Sequence, residues 1–374
     1  MNSLHVLILL LLLLLGANLR KNIRNMQLPE TPGFEGDPAL VSVLIPARNE
    51  EDKIKRCVRS LLKSNYPKTE ILVLDDNSRD RTFALVQSLA RHHRNLRVVR
   101  GKKLPPGWNG KNWACHQLAQ QARGEWFLFT DADTEHSRDS ISVALATALK
   151  NDAQFVSAIP GLITKTWAEK LILPVIHFAF LVLLPYNLIN YFKISRVPVG
   201  IGPFLFIHRN AYAKCGGFEA IKSEILDDMA LARRVRKSDG RISVMDGTDL
   251  VRVRFYTCFQ EVWSGFSKNA FQAIGSSPYL LFVLSVGCYF LFIYPYLCLG
   301  ACVLYGQNIV LPALHVLLIS LMRIALSARF RTSYAYGLLH PLCVFLTLLI
   351  LFNSFRLTLF HRKIEWKERL YPIE

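Results

Sequence analysis

The sequence predicts an α/β domain built on a mainly parallel sheet, joined to a set of membrane-spanning helices. Three observations lead there. Short β-branched or aromatic runs alternate with helix-length segments between residues 41 and 129. Polar clusters follow three of those runs directly. Hydrophobic residues make up 51% of the 374, and many lie in runs that carry no charge.

Taken in order, Leu4–Leu19 is an apolar run, almost all leucine. Met1–His5 lacks the Lys or Arg of a signal peptide, and Arg20, Lys21 and Arg24 follow the run. It therefore reads as an uncleaved anchor over residues 1–24 that holds the next segment in the cytoplasm. Residues 25–40, with Pro29, Pro32, Gly33, Gly36 and Pro38, read as a linker. Val41–Ile45, Ile71–Leu74, Leu96–Val99 and Trp126–Phe129 read as buried strands. Glu51–Lys63, Asp80–Arg91 and Asn112–Ala122 have helical spacing. Strands alternating with helices of this length imply a parallel sheet covered on both faces. The domain is expected to run over residues 41–270.

Beyond it, Asn269–Met322 contains no Asp, Glu, Lys or Arg, and neither does Tyr334–Phe355. One span needs about 20 apolar residues, so residues 271–360 are read as transmembrane helices. A basic tail, 361–374, follows. The net charge of +17 matches basic segments lying against anionic lipid better than it matches nucleic acid binding. The eight cysteines form no CxxC pair and have no histidine pair at zinc spacing. They read as small buried or lipid-facing residues, not as a disulfide frame.

In an open parallel sheet, ligands bind outside the carboxyl ends of the strands. Pro46-Ala47-Arg48-Asn49-Glu50 follows the first strand, Asp75-Asp76-Asn77-Ser78 the second, and Asp131-Ala132-Asp133 the fourth. Three separate segments thus point at one cleft. Asp131 and Asp133 in a strand-end loop can bind Mg²⁺ or Mn²⁺ and leave positions for substrate phosphates; the alternative is a solvated turn. Asp75 or Asp76 can accept from a nucleobase imide or a ribose, while Asp76 or Ser78 can instead cap the helix near Asp80. Lys111, in Gly107-Trp108-Asn109-Gly110-Lys111, can reach phosphate oxygens; Trp108 reads as a packing anchor. Asp227-Asp228 lies at a helix start, where it serves as a cap or as a general base. G-x-G-x-x-G and Walker A loops are both absent.

Together these segments, with Gly216-Gly217-Phe218, resemble family 2 glycosyltransferases of the GT-A fold, and most nearly the membrane-bound carotenoid- and hopanoid-associated branch acting on lipids. The resemblance covers about residues 40–270 and loosely the tail. It implies that Pro46, Ala47 and Glu50 line a nucleotide pocket, that Asp75 or Asp76 binds base or ribose, and that Lys111 touches the diphosphate. It places Asp131 by the ribose and beside the metal, Asp133 on the metal, and Asp228 as base of an inverting transfer. The family's Glu-Asp pair is Asp227-Asp228 here, which leaves the choice of base open. The Q-x-x-R-W motif of processive synthases is absent: Gln260-Glu261-Val262-Trp263 has no Arg before the Trp. Lys268 is a candidate to supply that positive charge to phosphate.

The resemblance implies a hexosyltransferase using a UDP-sugar and a lipid acceptor, in a bacterial cell membrane, with its catalytic domain cytoplasmic and no nucleic acid partner. A polysaccharide synthase of the same superfamily and a non-catalytic binding protein are the alternatives. Leu171–Phe192 is charge-free and span-length, yet it separates Asp133 from Asp228. One crossing there would split the site. Residues 171–192 are therefore expected to lie at the interface, dip and return, or pack in the core; Pro174 and Pro185 favour a broken in-plane element. Three spans after a cytoplasmic domain would put the tail outside, whereas Arg362, Lys363, Lys367 and Arg369 favour inside. The Pro341-containing segment is the candidate for a re-entrant one.

Overall fold

In the computed structural model, residues 2–26, 37–184 and 200–360 are described, together with the backbone of 363–366 and 369–372. The chain divides into two compact units. One comprises Met26–Ile163 and Asn187–Phe255, the other Met1–Asn25, Thr164–Tyr186 and Tyr256–Glu374.

The first unit is built on an eight-stranded sheet: β1 (Val41–Ala47), β2 (Thr69–Asp75), β3 (Leu96–Arg100), β4 (Trp126–Phe129), β5 (Thr134–His136), β6 (Phe155–Leu162), β7 (Leu205–His208) and β8 (Ile242–Val253). Their order is β3-β2-β1-β4-β7-β6-β8-β5. The first four strands are all parallel, as the β–α alternation requires. β7 reverses direction against both β4 and β6, β5 is antiparallel to β8, and β6 and β8 are again parallel. The sheet is thus parallel in its N-terminal half and mixed beyond it.

The strands read as unbroken apolar runs because both faces are covered. Successive side chains alternate in direction. Val43, Ile45, Ile71 and Val73 pack with Ile54, Val58 and Ile141 from the helices Ile54–Leu62 and Ser140–Lys150. Leu44, Leu72, Leu74, Phe127 and Phe129 pack on the other face with Leu118 and Leu231, from the helices Gly110–Gln121 and Asp227–Lys237.

Among the described residues, the second unit holds four helices long and apolar enough to cross a membrane: Ser3–Asn25, Pro278–Leu304, Val310–Phe330 and His340–Phe360. The last runs without a break. Pro341 falls in its first turn, where proline's missing N–H leaves no helical hydrogen bond unmade, so the segment expected to be re-entrant is one unbroken candidate span. Two regions assigned by sequence to the catalytic domain belong here instead. Helix Phe259–Ala273 is tied to His340–Phe360 by Phe271 N–H to Ser354 Oγ (2.9 Å) and Asn353 Nδ2 to Ser267 Oγ (2.9 Å). Residues 171–184 form short helical pieces broken at Pro174, packed among the apolar helices. Asn22 Nδ2 donates to Leu181 O and Leu184 O (both 2.8 Å), and His177 stacks on Phe330 at 3.8 Å. Residues 171–184 thus pack against the apolar helices of this unit; residues 185–192, with Pro185, lie outside the described residues. The tail backbone forms a two-stranded antiparallel ribbon, Lys363–Trp366 with Arg369–Pro372.

Candidate active site

The carboxyl ends of β1, β2 and β4 lie side by side. Ala47 pairs in register with Asp75, Pro46 with Leu74, and Leu44 with Phe129. Asp76 N–H donates to Ala47 O (2.8 Å) and Thr130 N–H to Leu44 O (3.2 Å), which carries this adjacency one residue past each strand. Asn49 and Asn77 take left-handed backbone (φ 53° and 54°), a turn conformation asparagine tolerates better than most residues. Arg48 Nη1 fastens the two loops by donating to Asp76 O (2.7 Å). Glu50 N–H donates to Thr82 Oγ1 (2.8 Å).

Asp75 and Asp76 are both buried. Asp75 Oδ2 accepts from Ser78 N–H (3.3 Å), whereas its Oδ1 is buried with no hydrogen-bond partner among the described residues. A buried unpaired carboxylate oxygen calls for a donor. Neither Asp76 nor Ser78 caps the next helix, as the alternative reading had it. Asp80 Oδ1 accepts from Thr82 N–H (2.9 Å) at that helix start, and Ser78 Oγ accepts from Asn49 N–H (3.0 Å). The nearer residue wins because its short side chain reaches the first free N–H.

Lys111 stands in the first turn of Gly110–Gln121, whose cap is Asn109. Its Nζ lies 2.9 Å from Asp131 Oδ1 and 3.3 Å from Asp227 Oδ2. Burial opposes the ammonium, but Asp131 and Asp227 outweigh it and hold Lys111 protonated well above the lysine range. The helix is brought to Asp227 by Asn112, whose Nδ2 donates to Ile221 O (2.8 Å) and Glu224 O (2.9 Å). Trp108 packs edge-on to Trp113, 5.0 Å between centroids, in keeping with an anchoring role.

Asp227 and Asp228 open helix Asp227–Lys237, where unpaired N–H groups welcome negative charge. Asp228 Oδ1 accepts from Met229 N–H (2.7 Å) and Oδ2 from Gly202 N–H (2.8 Å). Burial, and after it the neighbouring Asp227 charge, push the Asp228 carboxyl up to about 7, while Lys111 and the two N–H bonds pull the other way.

Residues 42–216 match the family model described as glycosyl transferase family 2. The chain carries a family 2 glycosyltransferase domain. It is 25% identical over 340 residues to the 4,4'-diaponeurosporenoate glycosyltransferase of Staphylococcus aureus (strain MRSA252), covering 89% of this chain and 88% of that one. It is 24% identical over 258 residues to the protein of the same name from Staphylococcus haemolyticus (strain JCSC1435), 66% of each chain. Its fold resembles that of the mannosyltransferase PcManGT from Pyrobaculum calidifontis, solved with GDP-Man and Mn²⁺. The TM-score is 0.56, the identity 17%, and the overlap covers 96% of this chain and 99% of that one. The fold is therefore GT-A, followed by candidate transmembrane helices, and the chain is a glycosyltransferase.

Within the glycosyltransferase domain, Asp133 lies 3.6 Å from Lys53 Nζ, which is also 4.0 Å from Glu50 Oε2. Contacts gather Lys111, Asp131, Asp227 and Asp228 in one cluster, with Asp75 and Asp76 at the adjoining strand end. Lys268 falls in the helical unit. Sequence reasoning missed Gly200 and Gly202. A Cβ on Gly200 would strike the Asp228 carbonyl, and one on Gly202 would stand 3.4 Å from Asp131 Oδ2, 3.5 Å from Asp228 Oδ2 and 3.6 Å from Lys111 Nζ. Two glycines one residue apart, before Pro203 and a buried strand, were the available signal.

It also missed His136. Thr130 Oγ1 donates to Pro203 O (2.7 Å) and Thr134 Oγ1 to Asp131 O (2.8 Å), so each hydroxyl has used its proton. His136 Nε2 lies 2.9 Å and 3.1 Å from those two oxygens and must therefore be the donor. Burial pushes this ring down to about 3, so it stays neutral with its proton on Nε2. His136 thus links the Asp131 loop, through Thr130, to the Gly202-Pro203 segment that leads into β7.

Proposed function

We propose that the protein transfers a single sugar from a nucleotide-diphosphate sugar, a UDP-sugar, to a hydroxyl or acid oxygen of a membrane lipid, with inversion. The observation that carries this is the Asp228 carboxylate. It is aimed by two backbone N–H groups, lies in one cluster with Lys111 and Asp131, and is poised to take a proton near neutral pH. The acceptor oxygen attacks the anomeric carbon while Asp228 takes its proton, and the bond from that carbon to the diphosphate breaks. Asp75 Oδ1, buried and unpaired, suits the imide N–H of uracil. Pro46, Ala47, Glu50 and Asp76 line the base and ribose side, and Lys111 serves the diphosphate.

Asp133 and Asp131 suit Mg²⁺ or Mn²⁺. No group of three or more ligating side chains occurs among the described residues, and these ions are commonly held by one or two carboxylates plus substrate phosphates. Bound there, the ion offsets charge on the leaving diphosphate. The lipid acceptor is supported by the four candidate spans and by the relatives, which are named for a carotenoid acid. Arg20, Lys21 and Arg24 support a cytoplasmic catalytic domain in a bacterial membrane.

The test uses full-length protein in nanodiscs with UDP- and GDP-sugars, Mg²⁺ or Mn²⁺, and a total lipid extract, read by mass spectrometry. Lipids bearing one added sugar are expected, formed from UDP-sugars and lost in Asp228→Asn and Asp133→Asn. A polymeric product, or sugar transfer that ignores lipid, overturns the acceptor reading; full activity in both variants overturns the site.

A further inference from the structure

Among the described residues, the helical unit buries a cation with no anion beside it. Arg323, in helix Val310–Phe330, is 3% exposed, and its Nε and Nη1 make no hydrogen bond among the described residues. Its guanidinium carbon stands 5.9 Å from the Phe178 ring centroid, at the outer limit of cation–π attraction. His340 packs on the same ring at 4.7 Å between centroids, fully buried, with neither ring nitrogen partnered among the described residues. Carboxylates are scarce here. Residues 2–25, 164–184 and 256–360 contain only Glu169 and Glu261. Glu169 Oε2 accepts from the N–H groups of Lys165 (3.0 Å) and Thr166 (2.6 Å) and from Thr166 Oγ1 (2.7 Å). Glu261 Oε2 accepts from Thr257 N–H (2.7 Å) and Oγ1 (2.9 Å).

A guanidinium stays charged at every physiological pH. Buried without an anion it is strongly destabilising, and in a membrane bundle an unpaired ionisable residue marks a place where a ligand's polar group belongs. The planar fork matches the two oxygens of a carboxylate or phosphate. Arg323 lies seven residues before the helix end at Phe330, a rise of about 10 Å. That depth suits a headgroup whose apolar chain stays in the bundle, whereas a free ion would have to shed its hydration entirely. We propose that Arg323, with a ring N–H of His340, holds the oxyanionic headgroup, carboxylate or phosphate monoester, of a membrane amphiphile. The site stands independently of the sugar-transfer reading above.

The test adds four probes to full-length protein in detergent: dioleoyl phosphatidic acid, oleate, dioleoylglycerol and inorganic phosphate. Native mass spectrometry and thermal unfolding are the readouts. The two acidic lipids are expected to give one-to-one adducts and raise the melting temperature at concentrations where the other two do neither. Arg323→Gln should weaken that binding about tenfold or more, the loss of a charge-assisted pair, while Asp228→Asn binds as the wild type does. His340→Leu should show a smaller loss and keeps the test available if Arg323→Gln does not fold. Unchanged lipid binding in Arg323→Gln, or in His340→Leu if that is the variant that folds, overturns the proposal. So does equal binding of dioleoylglycerol. Equal protection by inorganic phosphate assigns the guanidinium to a free anion and overturns it as well.

Discussion

If Asp228 is the base, activity must follow its ionisation. Its carboxyl is pushed up to about 7, so about a tenth is ionised at pH 6 and about nine-tenths at pH 8. The kcat/KM for transfer to lipid should therefore rise about tenfold across that interval. Asp228→Asn should remove the acidic limb and lower kcat by a factor of about 10² to 10⁴. Stability supplies an independent readout. The folded carboxyl holds its proton up to about 7, whereas the unfolded one releases it near 3.8. Between those values the folded chain binds more protons, so stability falls as pH rises from about 4 to about 7 and is insensitive to this group outside that window. The gap corresponds to at most about 4 kcal/mol, and partial solvent access should reduce it to about half. Equilibrium unfolding of wild type and Asp228→Asn at pH 4.5, 6 and 7.5 would show the difference. A flat kcat/KM profile through pH 7, or a variant that retains most of its activity, refutes the assignment.

Lys111→Met should move the acidic limb to higher pH, since Lys111 holds the Asp228 carboxyl down. It should also destabilise the fold by about 3 kcal/mol by leaving Asp131 and Asp227 without their cation; an unmoved limb would show that the ammonium does not face the base. Gly202→Ala should fold normally, because its new methyl meets no atom closer than 3.4 Å, yet lose about tenfold or more in kcat/KM by standing among the reacting groups. Wild-type activity would place the reaction elsewhere. His136→Leu, which removes a buried donor from two hydroxyls, should cost about 1–3 kcal/mol and raise the Mn²⁺ concentration for half-maximal activity. His136→Gln, which restores an N–H, should recover most of both; equal effects of the two would make His136 a packing residue only. Chelation with EDTA should abolish transfer, with Mn²⁺ or Mg²⁺ restoring it to wild type and poorly to Asp133→Asn.

Much of the domain was legible in the sequence because local rules govern it. β4 falls where the run Trp126–Phe129 places it, and the helix Asp227–Lys237 starts at its acidic pair, because burial on two faces and helix-end charge leave marks within a few residues. The acidic loops were found for the same reason, each lying directly after an apolar strand. The partners of those acids were not legible. Lys111 was read as a phosphate ligand, yet it spans Asp131 and Asp227, which requires knowing that Asn112 clamps its helix to residues 221–224. Gly200 and Gly202 matter through atoms on helix Asp227–Lys237, more than 20 residues away, and the tautomer of His136 is set by two threonines and a distant carbonyl.

Family resemblance supplied the nucleotide-sugar reading; composition and period alone determined a mainly parallel α/β domain, apolar runs of span length and an acid-lined strand end. Those properties are sums over neighbours in the chain. Only the tertiary structure decided that residues 164–184 and 256–273 group with the helices, and that Arg323 is buried with no carboxylate beside it among the described residues. An apolar stretch fits a core and a bundle equally well, and a charge has a partner or lacks one only once the chain has closed around it.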